Sequence, residues 1–130
     1  MAGELILIVE DNEKNRKLER DVLQFHGYRT IEAETGEDGV RLARERAPAL
    51  VLMDIQLPGI SGIEALGQLR ADASTRGIPV IAVTASAMTQ DRQKIMAAGF
   101  DGYQSKPISV KEFVGAVREM LDRPVAGPRP

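Results

Sequence analysis

The chain has 130 residues, the size of one ordinary domain and too short for two domains with separate hydrophobic cores. Hydrophobic residues make up 43% of the sequence, enough for a folded core, and 17 Lys and Arg nearly balance 19 Asp and Glu. This balance favours neither nucleic acid nor an anionic membrane as a partner, and the absence of cysteine excludes disulfides and thiolate metal sites. With neither a signal-peptide pattern nor a long apolar run, we expect a soluble cytoplasmic domain without a membrane span.

Short apolar runs alternate along the chain with longer amphipathic segments. The runs, which we predict to be strands, are Leu5–Val9, Tyr28–Ile31, Leu50–Met53, Pro79–Val83 and Gly102–Gln104. Their apolarity is continuous and does not alternate with polar residues. Such runs are typical of strands buried on both faces, as in a parallel sheet covered by helices.

The first intervening segment is predicted to be a helix that begins after Asn12. Its apolar residues Leu18, Val22 and Phe25 fall on one helical face. Gly27 is a suitable residue to end this helix.

Four further segments also have helical spacing. Capping residues mark the starts of three of them, namely Thr35, Ser61 with Glu64, and Ser109 with Glu112. The remaining helix is predicted from about Met88 to Ala98, with a stop at Gly99.

Five strand–helix units in strict alternation predict the fold class. We expect an α/β domain with a five-stranded parallel sheet, doubly wound by helices on both faces. We place this domain in residues 1–122. Residues 123–130 hold three prolines and a glycine, and we interpret them as a flexible tail.

Polar residues stand where the apolar runs end. Glu10 and Asp11 follow the first run, Asp54 the third, Thr84 the fourth and Lys106 the fifth. In an open α/β sheet, ligands bind outside the carboxyl ends of the strands, which share one edge. We therefore expect three carboxylates, a hydroxyl and an ammonium group to meet in one cleft.

This set of groups has a definite chemical capacity. Three carboxylates repel one another unless a cation intervenes, and without His or Cys among them the cation that fits best is Mg²⁺. A carboxylate can attack phosphorus and form an acyl phosphate, while the ammonium group and the metal neutralise phosphoryl oxygens. The set therefore predicts aspartyl phosphorylation. Taken singly, Glu10 and Asp11 could serve only the dipole of the next helix, and Thr84 could be an ordinary strand residue.

Four motifs match those of one protein family in order and spacing. They are Val9-Glu10-Asp11-Asn12, the segment from Met53 to Gly59 (MDIQLPG), Val83-Thr84-Ala85 and Lys106-Pro107. On these motifs the chain resembles the receiver domains of two-component response regulators from Leu5 to Leu121. The resemblance implies a flavodoxin-like, CheY-like fold.

The resemblance also implies roles for the residues of the cleft. Asp54 would be the phosphoacceptor, and Lys106 would pair with a phosphoryl oxygen. Asp11 and Asp54 would bind Mg²⁺ directly, Glu10 would act largely through bound water, and the backbone carbonyl of Gln56 would complete the protein ligands. Glu10 stands where the family more often has aspartate, and we expect the change to preserve metal binding.

A second group of residues would carry the signal. Thr84 would hydrogen-bond to the phosphoryl group, and Tyr103 would turn inward when Thr84 moves; the alternative is an ordinary strand-edge tyrosine. Downstream protein partners would then bind the face of the fourth helix, fifth strand and fifth helix. The family further implies a cis Lys106–Pro107 bond and an influence of Gln56 and Ser86 on hydrolysis.

By this resemblance the chain would be a signalling switch that catalyses only its own phosphotransfer and dephosphorylation. The phosphodonor would be a phosphohistidine of a histidine kinase or of a histidine phosphotransfer protein. The motifs are most similar to those of single-domain regulators of bacterial cell division and polarity. The alternative is a receiver domain excised from a hybrid sensor histidine kinase.

Three other classes remain as competing hypotheses. A phosphatase with an aspartate nucleophile needs a second acid two residues later, where the chain has Gln56. A flavodoxin-like nucleotide binder needs a phosphate-binding loop where the chain has Glu10 and Asp11. An adaptor with an inactive site is disfavoured by the complete set of site residues.

Overall fold

The computed structural model describes residues 3–85 and 89–122, within which strands and helices alternate as predicted. The strands are β1 (Leu5–Val9), β2 (Arg29–Ala33), β3 (Leu50–Asp54), β4 (Val80–Thr84) and β5 (Gly102–Ser105). The helices are α1 (Glu13–Phe25), α2 (Gly36–Arg46), α3 (Gly62–Ala71), α4 (Thr89–Ala97) and α5 (Val110–Asp122). The predicted tail and Ser86 lie outside the described residues. No helix in the described ranges is both long enough and apolar enough to cross a membrane.

The strands form one parallel sheet in the order β2-β1-β3-β4-β5. The chain leaves β1 for β2 on one side and returns to β3 on the other, so the order reverses between β1 and β3. This reversal is the position at which open α/β sheets bind ligands. Val9 pairs with Met53, so the next residues, Glu10 and Asp54, leave their strands at the same level.

Side-chain alternation along the strands divides the core into two layers, one on each face of the sheet. On one face Ile8 and Leu52 pack with residues of α1 and α5, among them the fully buried Phe113. On the other face Met53 and Ala82 pack with residues of α2, α3 and α4. The predicted doubly wound α/β fold is therefore confirmed.

The helix starts follow from side-chain caps. The Asn12 side chain accepts a hydrogen bond from the backbone of Asn15 at the start of α1, and Thr35 accepts one at the start of α2. Ser61 and Glu64 form the predicted capping box at the start of α3. These caps satisfy backbone N–H groups that have no partner within the helix.

Of the three apolar residues that share the predicted face of α1, only Val22 packs against a core cluster. Phe25 is 86% exposed and Leu18 is 42% exposed, whereas Leu23 is fully buried and Glu19 is only 3% exposed. Glu19 and Leu23 are four residues apart and therefore share the face that meets the sheet. Because Glu19 in this row is charged, hydrophobic spacing in the sequence indicated the neighbouring row, with Leu18 and Phe25, as the apolar face of α1.

Candidate functional site

The structure brings together the three carboxylates that the sequence placed at strand ends. Single carboxylate oxygens of Glu10, Asp11 and Asp54 all lie within 4.8 Å of one another. Glu10 and Asp54 are buried, and Asp11 is exposed at the mouth of the cleft. The convergence predicted for the carboxyl edge of the sheet is therefore present.

Lys106 brings a positive charge to this group. Its Nζ lies 3.0 Å from Asp54 Oδ2 and 2.6 Å from Glu10 Oε1. Its backbone N–H donates a 2.8 Å hydrogen bond to the carbonyl oxygen of Thr84, which fixes the lysine at the exits of β4 and β5. The peptide bond between Lys106 and Pro107 is cis, as the family resemblance implied.

Burial and charge act together on the ionisation of this group. Burial raises the pKa of Glu10, and the nearby Asp54 adds to this effect against the opposing influence of Lys106. Burial alone would lower the pKa of Lys106, but its close contacts with the charged carboxylates of Glu10 and Asp54 outweigh burial, and the pKa rises. Lys106 is therefore held in its charged form as the counterion of the cleft.

Backbone N–H groups fix two of the carboxylates. Asn12 donates to Glu10 Oε2 at 3.1 Å, and Gln56 donates to Asp54 Oδ1 at 3.2 Å. The contact between Glu10 Oε1 and Lys106 is a close ion pair without hydrogen-bond geometry, so this buried oxygen has no hydrogen-bond partner. A buried oxygen left in this state, beside two aspartates, fits a hard oxygen-binding cation such as Mg²⁺.

Gly62 allows α3 to begin directly against the end of β3. A Cβ atom at this position would lie 2.2 Å from the carbonyl oxygen of Asp54 and 2.9 Å from Cα of Ile55. The N–H of Gly62 donates a 2.9 Å hydrogen bond to the carbonyl oxygen of Ile55. Only glycine fits this close approach. The sequence analysis did not identify Gly62 as a residue of the site, although the sequence has a glycine directly after the capping residue Ser61.

Thr84 and Tyr103 lie on the face of the sheet that packs against α2, α3 and α4. Thr84 is buried at the end of β4, and Tyr103 is half-buried on β5, where it pairs with Ala82. Ala82 and Thr84 are two residues apart and project to the same face, so Tyr103 is the diagonal neighbour of Thr84. The guanidinium carbon of Arg92 lies 5.4 Å from the centre of the tyrosine ring.

Two charged residues of α1 border the site and were not predicted. Arg16 Nη1 donates a 3.0 Å hydrogen bond to the carbonyl oxygen of Glu10. Glu19 lines a cavity of about 40 Å³ together with Lys106 and Pro107. A basic residue in the first turn of a helix opposes the helix dipole, so Arg16 was a detectable signal of an acidic or carbonyl partner. Glu19 gave no such signal.

Comparison with known proteins agrees with this geometry. Residues 6–118 match the model of the response regulator receiver domain family. The chain is 49% identical over 116 residues to the polar-differentiation response regulator DivK of Brucella ovis, covering 89% of the chain and 94% of that relative. The same identity and coverage hold for DivK of Brucella anthropi.

Solved structures give the same result. The receiver domain of a sensor histidine kinase from Pseudomonas aeruginosa, with a magnesium ion coordinated in its active site cleft, is 34% identical with a TM-score of 0.87. That comparison covers 94% of this chain and 100% of the solved chain. A CheY-like receiver domain protein from Methanospirillum hungatei is 30% identical with a TM-score of 0.82, over 93% and 95% of the two chains. The chain therefore belongs to the response regulator receiver domain family and has a phosphoacceptor role in two-component signalling.

Proposed function

We propose that Asp54 is the residue that accepts the phosphoryl group. The observation that carries this proposal is the convergence on its carboxylate of the Lys106 ammonium, at 3.0 Å, and of the carboxylates of Glu10 and Asp11. Asp54 also ends the central strand β3 at the point where the strand order reverses. A nucleophile at this point can be approached from outside the sheet edge.

The reaction is a transfer between two nucleophiles. A carboxylate oxygen of Asp54 attacks phosphorus in the donor's phosphohistidine, a P–O bond forms, and the P–N bond breaks with its electron pair returning to the imidazole nitrogen. The product on this chain is an acyl phosphate. Water later attacks the same phosphorus, the P–O bond to Asp54 breaks, and inorganic phosphate leaves with the carboxylate regenerated.

Lys106 has a different partner before and after transfer. In the resting cleft it is the counterion of Glu10 and Asp54. After transfer one carboxylate oxygen of Asp54 is bonded to phosphorus, and the dianionic phosphoryl group becomes the strongest anion within reach of the ammonium. We infer that Lys106 then pairs with a phosphoryl oxygen and neutralises its charge.

The acidic cluster is proposed to hold Mg²⁺. Asp11 and Asp54 would bind the ion directly and Glu10 largely through water, with the backbone carbonyl of Gln56 completing the protein ligands. When bound, Mg²⁺ neutralises phosphoryl oxygen charge during transfer. The support from this chain is the oxygen-only donor set and the buried oxygen of Glu10 that lacks a hydrogen bond.

The output is proposed to pass through Thr84 and Tyr103. The Thr84 hydroxyl would hydrogen-bond to the phosphoryl group, and the space that its movement vacates would admit the ring of Tyr103 from the neighbouring strand. The affected surface consists of α4, β5 and α5, on which we place the binding of downstream proteins. Thr84 and Tyr103 are diagonal neighbours on one face of the sheet, and this proximity supports the coupling.

We further infer that the domain acts in the cytoplasm as a regulator of the DivK type, in bacterial polar differentiation and the cell cycle. Its phosphodonor would be a histidine kinase or a histidine phosphotransfer protein. The chain is 49% identical to DivK and 34% identical to the sensor-kinase receiver domain, so the comparisons do not favour a hybrid-kinase receiver.

The test is phosphorylation by acetyl phosphate in the presence of Mg²⁺, followed by intact-protein mass spectrometry. The wild type should gain the mass of one phosphoryl group, and Asp54→Asn should gain none. Asp72→Asn is the matched control, because Asp72 directly follows α3 at the end remote from Asp54. A wild type that gains no mass, or an Asp54→Asn variant that gains as much as the control, would refute the assignment.

A further inference from the structure

Arg16 links three elements at the edge of the site. It lies in the first turn of α1, and its side chain is only 14% exposed. Its Nη1 donates to the carbonyl oxygen of Glu10 at 3.0 Å, and its Nε donates to Glu32 Oε1 of β2 at 3.0 Å. A single guanidinium therefore connects the helix, the end of β1 and the edge strand β2.

These contacts fix the peptide that precedes Asp11. The N–H of Glu10 donates to the carbonyl oxygen of Ala33 at 3.0 Å, while Arg16 holds the carbonyl on the other side of the residue. A peptide unit is planar, so fixing the Glu10 carbonyl also fixes the N–H and Cα of Asp11. Asp11 itself is exposed in the loop between β1 and α1, where this peptide is its attachment to the sheet.

We propose that Arg16 is a positioning residue for the metal site, which acts by holding the peptide between Glu10 and Asp11 in the orientation that brings both carboxylates to Asp54. This inference rests on the proposed function, because it assigns to Arg16 a part in the Mg²⁺ binding proposed for that cluster. Glu32 contributes indirectly by fixing the guanidinium.

The positive charge of Arg16 and its proposed positioning role predict opposite changes in Mg²⁺ affinity when Arg16 is replaced. A positive charge beside an acidic cluster repels Mg²⁺, so its loss by electrostatics alone would strengthen cation binding. Loss of a positioning contact leaves the Asp11 carboxylate free to rotate away and weakens binding. The sign of the change in Mg²⁺ affinity therefore separates the two roles.

Arg20 supplies a matched control on the same helix. It lies one turn after Arg16, and its Nη1 donates to both oxygens of the same Glu32, at 3.2 and 3.1 Å. In the described part of the chain its contacts are with Glu32 and Asp21 and not with Glu10. Arg20→Met thus removes the same charge and an ion pair with the same carboxylate, but leaves the Glu10 peptide held.

The experiment is a titration of the wild type, Arg16→Met and Arg20→Met with MgCl₂, followed by NMR and performed well below each variant's unfolding temperature. We expect Arg16→Met to bind Mg²⁺ roughly tenfold more weakly than the wild type, the scale typical of lost support around metal ligands, and Arg20→Met to bind as tightly or more tightly. Urea unfolding of the same samples measures the stability that each variant loses with its ion pair.

The outcomes are distinct. If Arg16→Met binds Mg²⁺ as tightly as Arg20→Met, Arg16 has no positioning role and the inference is overturned. If Arg16→Met does not fold, the comparison is made with Arg16→Lys and Arg20→Lys, where a lysine cannot reach the carbonyl and the carboxylate with a rigid fork. Equal affinities in that pair also overturn the inference. A wild type that binds no Mg²⁺ refutes instead the metal site of the proposed function.

Discussion

Lys106 reaches Asp54 across an intervening strand. The lysine follows β5, the aspartate ends β3, and β4 lies between them, yet Nζ and Oδ2 are 3.0 Å apart. The same Nζ lies 2.6 Å from Glu10 of β1. The ammonium group therefore lies beside both carboxylates in the unphosphorylated cleft. A metal ion or a phosphoryl group bound in the cleft would change its interactions.

Replacing Lys106 by methionine should destabilise the metal-free protein and leave the Mg²⁺-bound protein less affected. The substitution leaves the buried carboxylates of Glu10 and Asp54 without their counterion, a loss that we expect to cost about 3 kcal/mol of unfolding free energy. Mg²⁺ restores positive charge at the same carboxylates. Urea unfolding at neutral pH, in EDTA and in saturating MgCl₂, measures both values.

Lys17→Met is the control for this comparison, because Lys17 forms an exposed ion pair with Asp21 on α1. Its effect should stay below about 1 kcal/mol and should not depend on Mg²⁺. The counterion role assigned to Lys106 is contradicted if Lys106→Met loses no more stability in EDTA than Lys17→Met does.

Two glycines of α3 should respond in opposite directions to alanine. In Gly62→Ala the new methyl group meets the carbonyl oxygen of Asp54 at 2.2 Å, so β3 and α3 must separate. We expect a loss of about 3 kcal/mol in stability and a slower gain of phosphoryl mass from acetyl phosphate. Urea unfolding and mass spectrometry measure these effects.

Gly67→Ala is the matched change in the same helix. A Cβ atom at Gly67 has no neighbour within 4 Å, and alanine has the higher helix propensity, so stability should rise by up to about 1 kcal/mol. If Gly62→Ala were as stable as Gly67→Ala, the close approach of α3 to Asp54 would not constrain the site.

The sequence predicted the fold and the convergence of the carboxylates correctly where a residue type in its position has a single physical explanation. Continuous apolar runs identified the buried strands, and a carboxylate such as Asp54 at a buried strand end pointed to chemistry. The buried row of α1 could not be read in this way, because Glu19 interrupts its apolar pattern. The role of Gly62 depends on a contact with a backbone carbonyl, for which side-chain patterns carry no signal. Arg16, a basic residue in the first turn of α1, indicated an acidic or carbonyl partner but did not identify it.

Thr84→Ala should uncouple Tyr103 from phosphorylation. With Mg²⁺ and beryllofluoride as the phosphoryl mimic, we expect the ring resonances of Tyr103 to shift in the wild type and to lose most of that shift in the variant, because the hydroxyl that senses the phosphoryl group is gone. NMR of selectively labelled tyrosine measures this shift. Binding of the mimic is verified in the same samples from the resonance of the Asp54 amide.

Tyr28 is the internal control, since it is the other tyrosine of the chain and packs in the core layer of α1 and α5. Its resonances should change little in either protein. A Thr84→Ala variant in which Tyr103 shifts as far as in the wild type would show that the tyrosine responds by another route.

Glu19 should make the stability of the protein depend on pH. Burial, reinforced by the charges of Glu10 and Asp54 against that of Lys106, raises its pKa from 4.5 to about 8. Between these two values the folded state binds a proton that the unfolded state has lost, so the free energy of unfolding falls as pH rises, by about 1.4 kcal/mol per pH unit. This contribution is fully present below pH 4.5 and is lost by about pH 8.

Glu19→Gln removes this titration and keeps the size of the side chain. We expect the variant to match the wild type near pH 5 and to be more stable by about 3 kcal/mol near pH 8, as measured by urea unfolding in EDTA. Glu45→Gln, on the exposed face of α2, should show no such divergence, because its carboxylate remains in water next to Arg41. If the free energies of unfolding of the wild type and of Glu19→Gln changed in parallel with pH, Glu19 would be ionised in the folded protein. The space that Glu19 shares with Lys106 would then be hydrated well enough to hold two opposite charges.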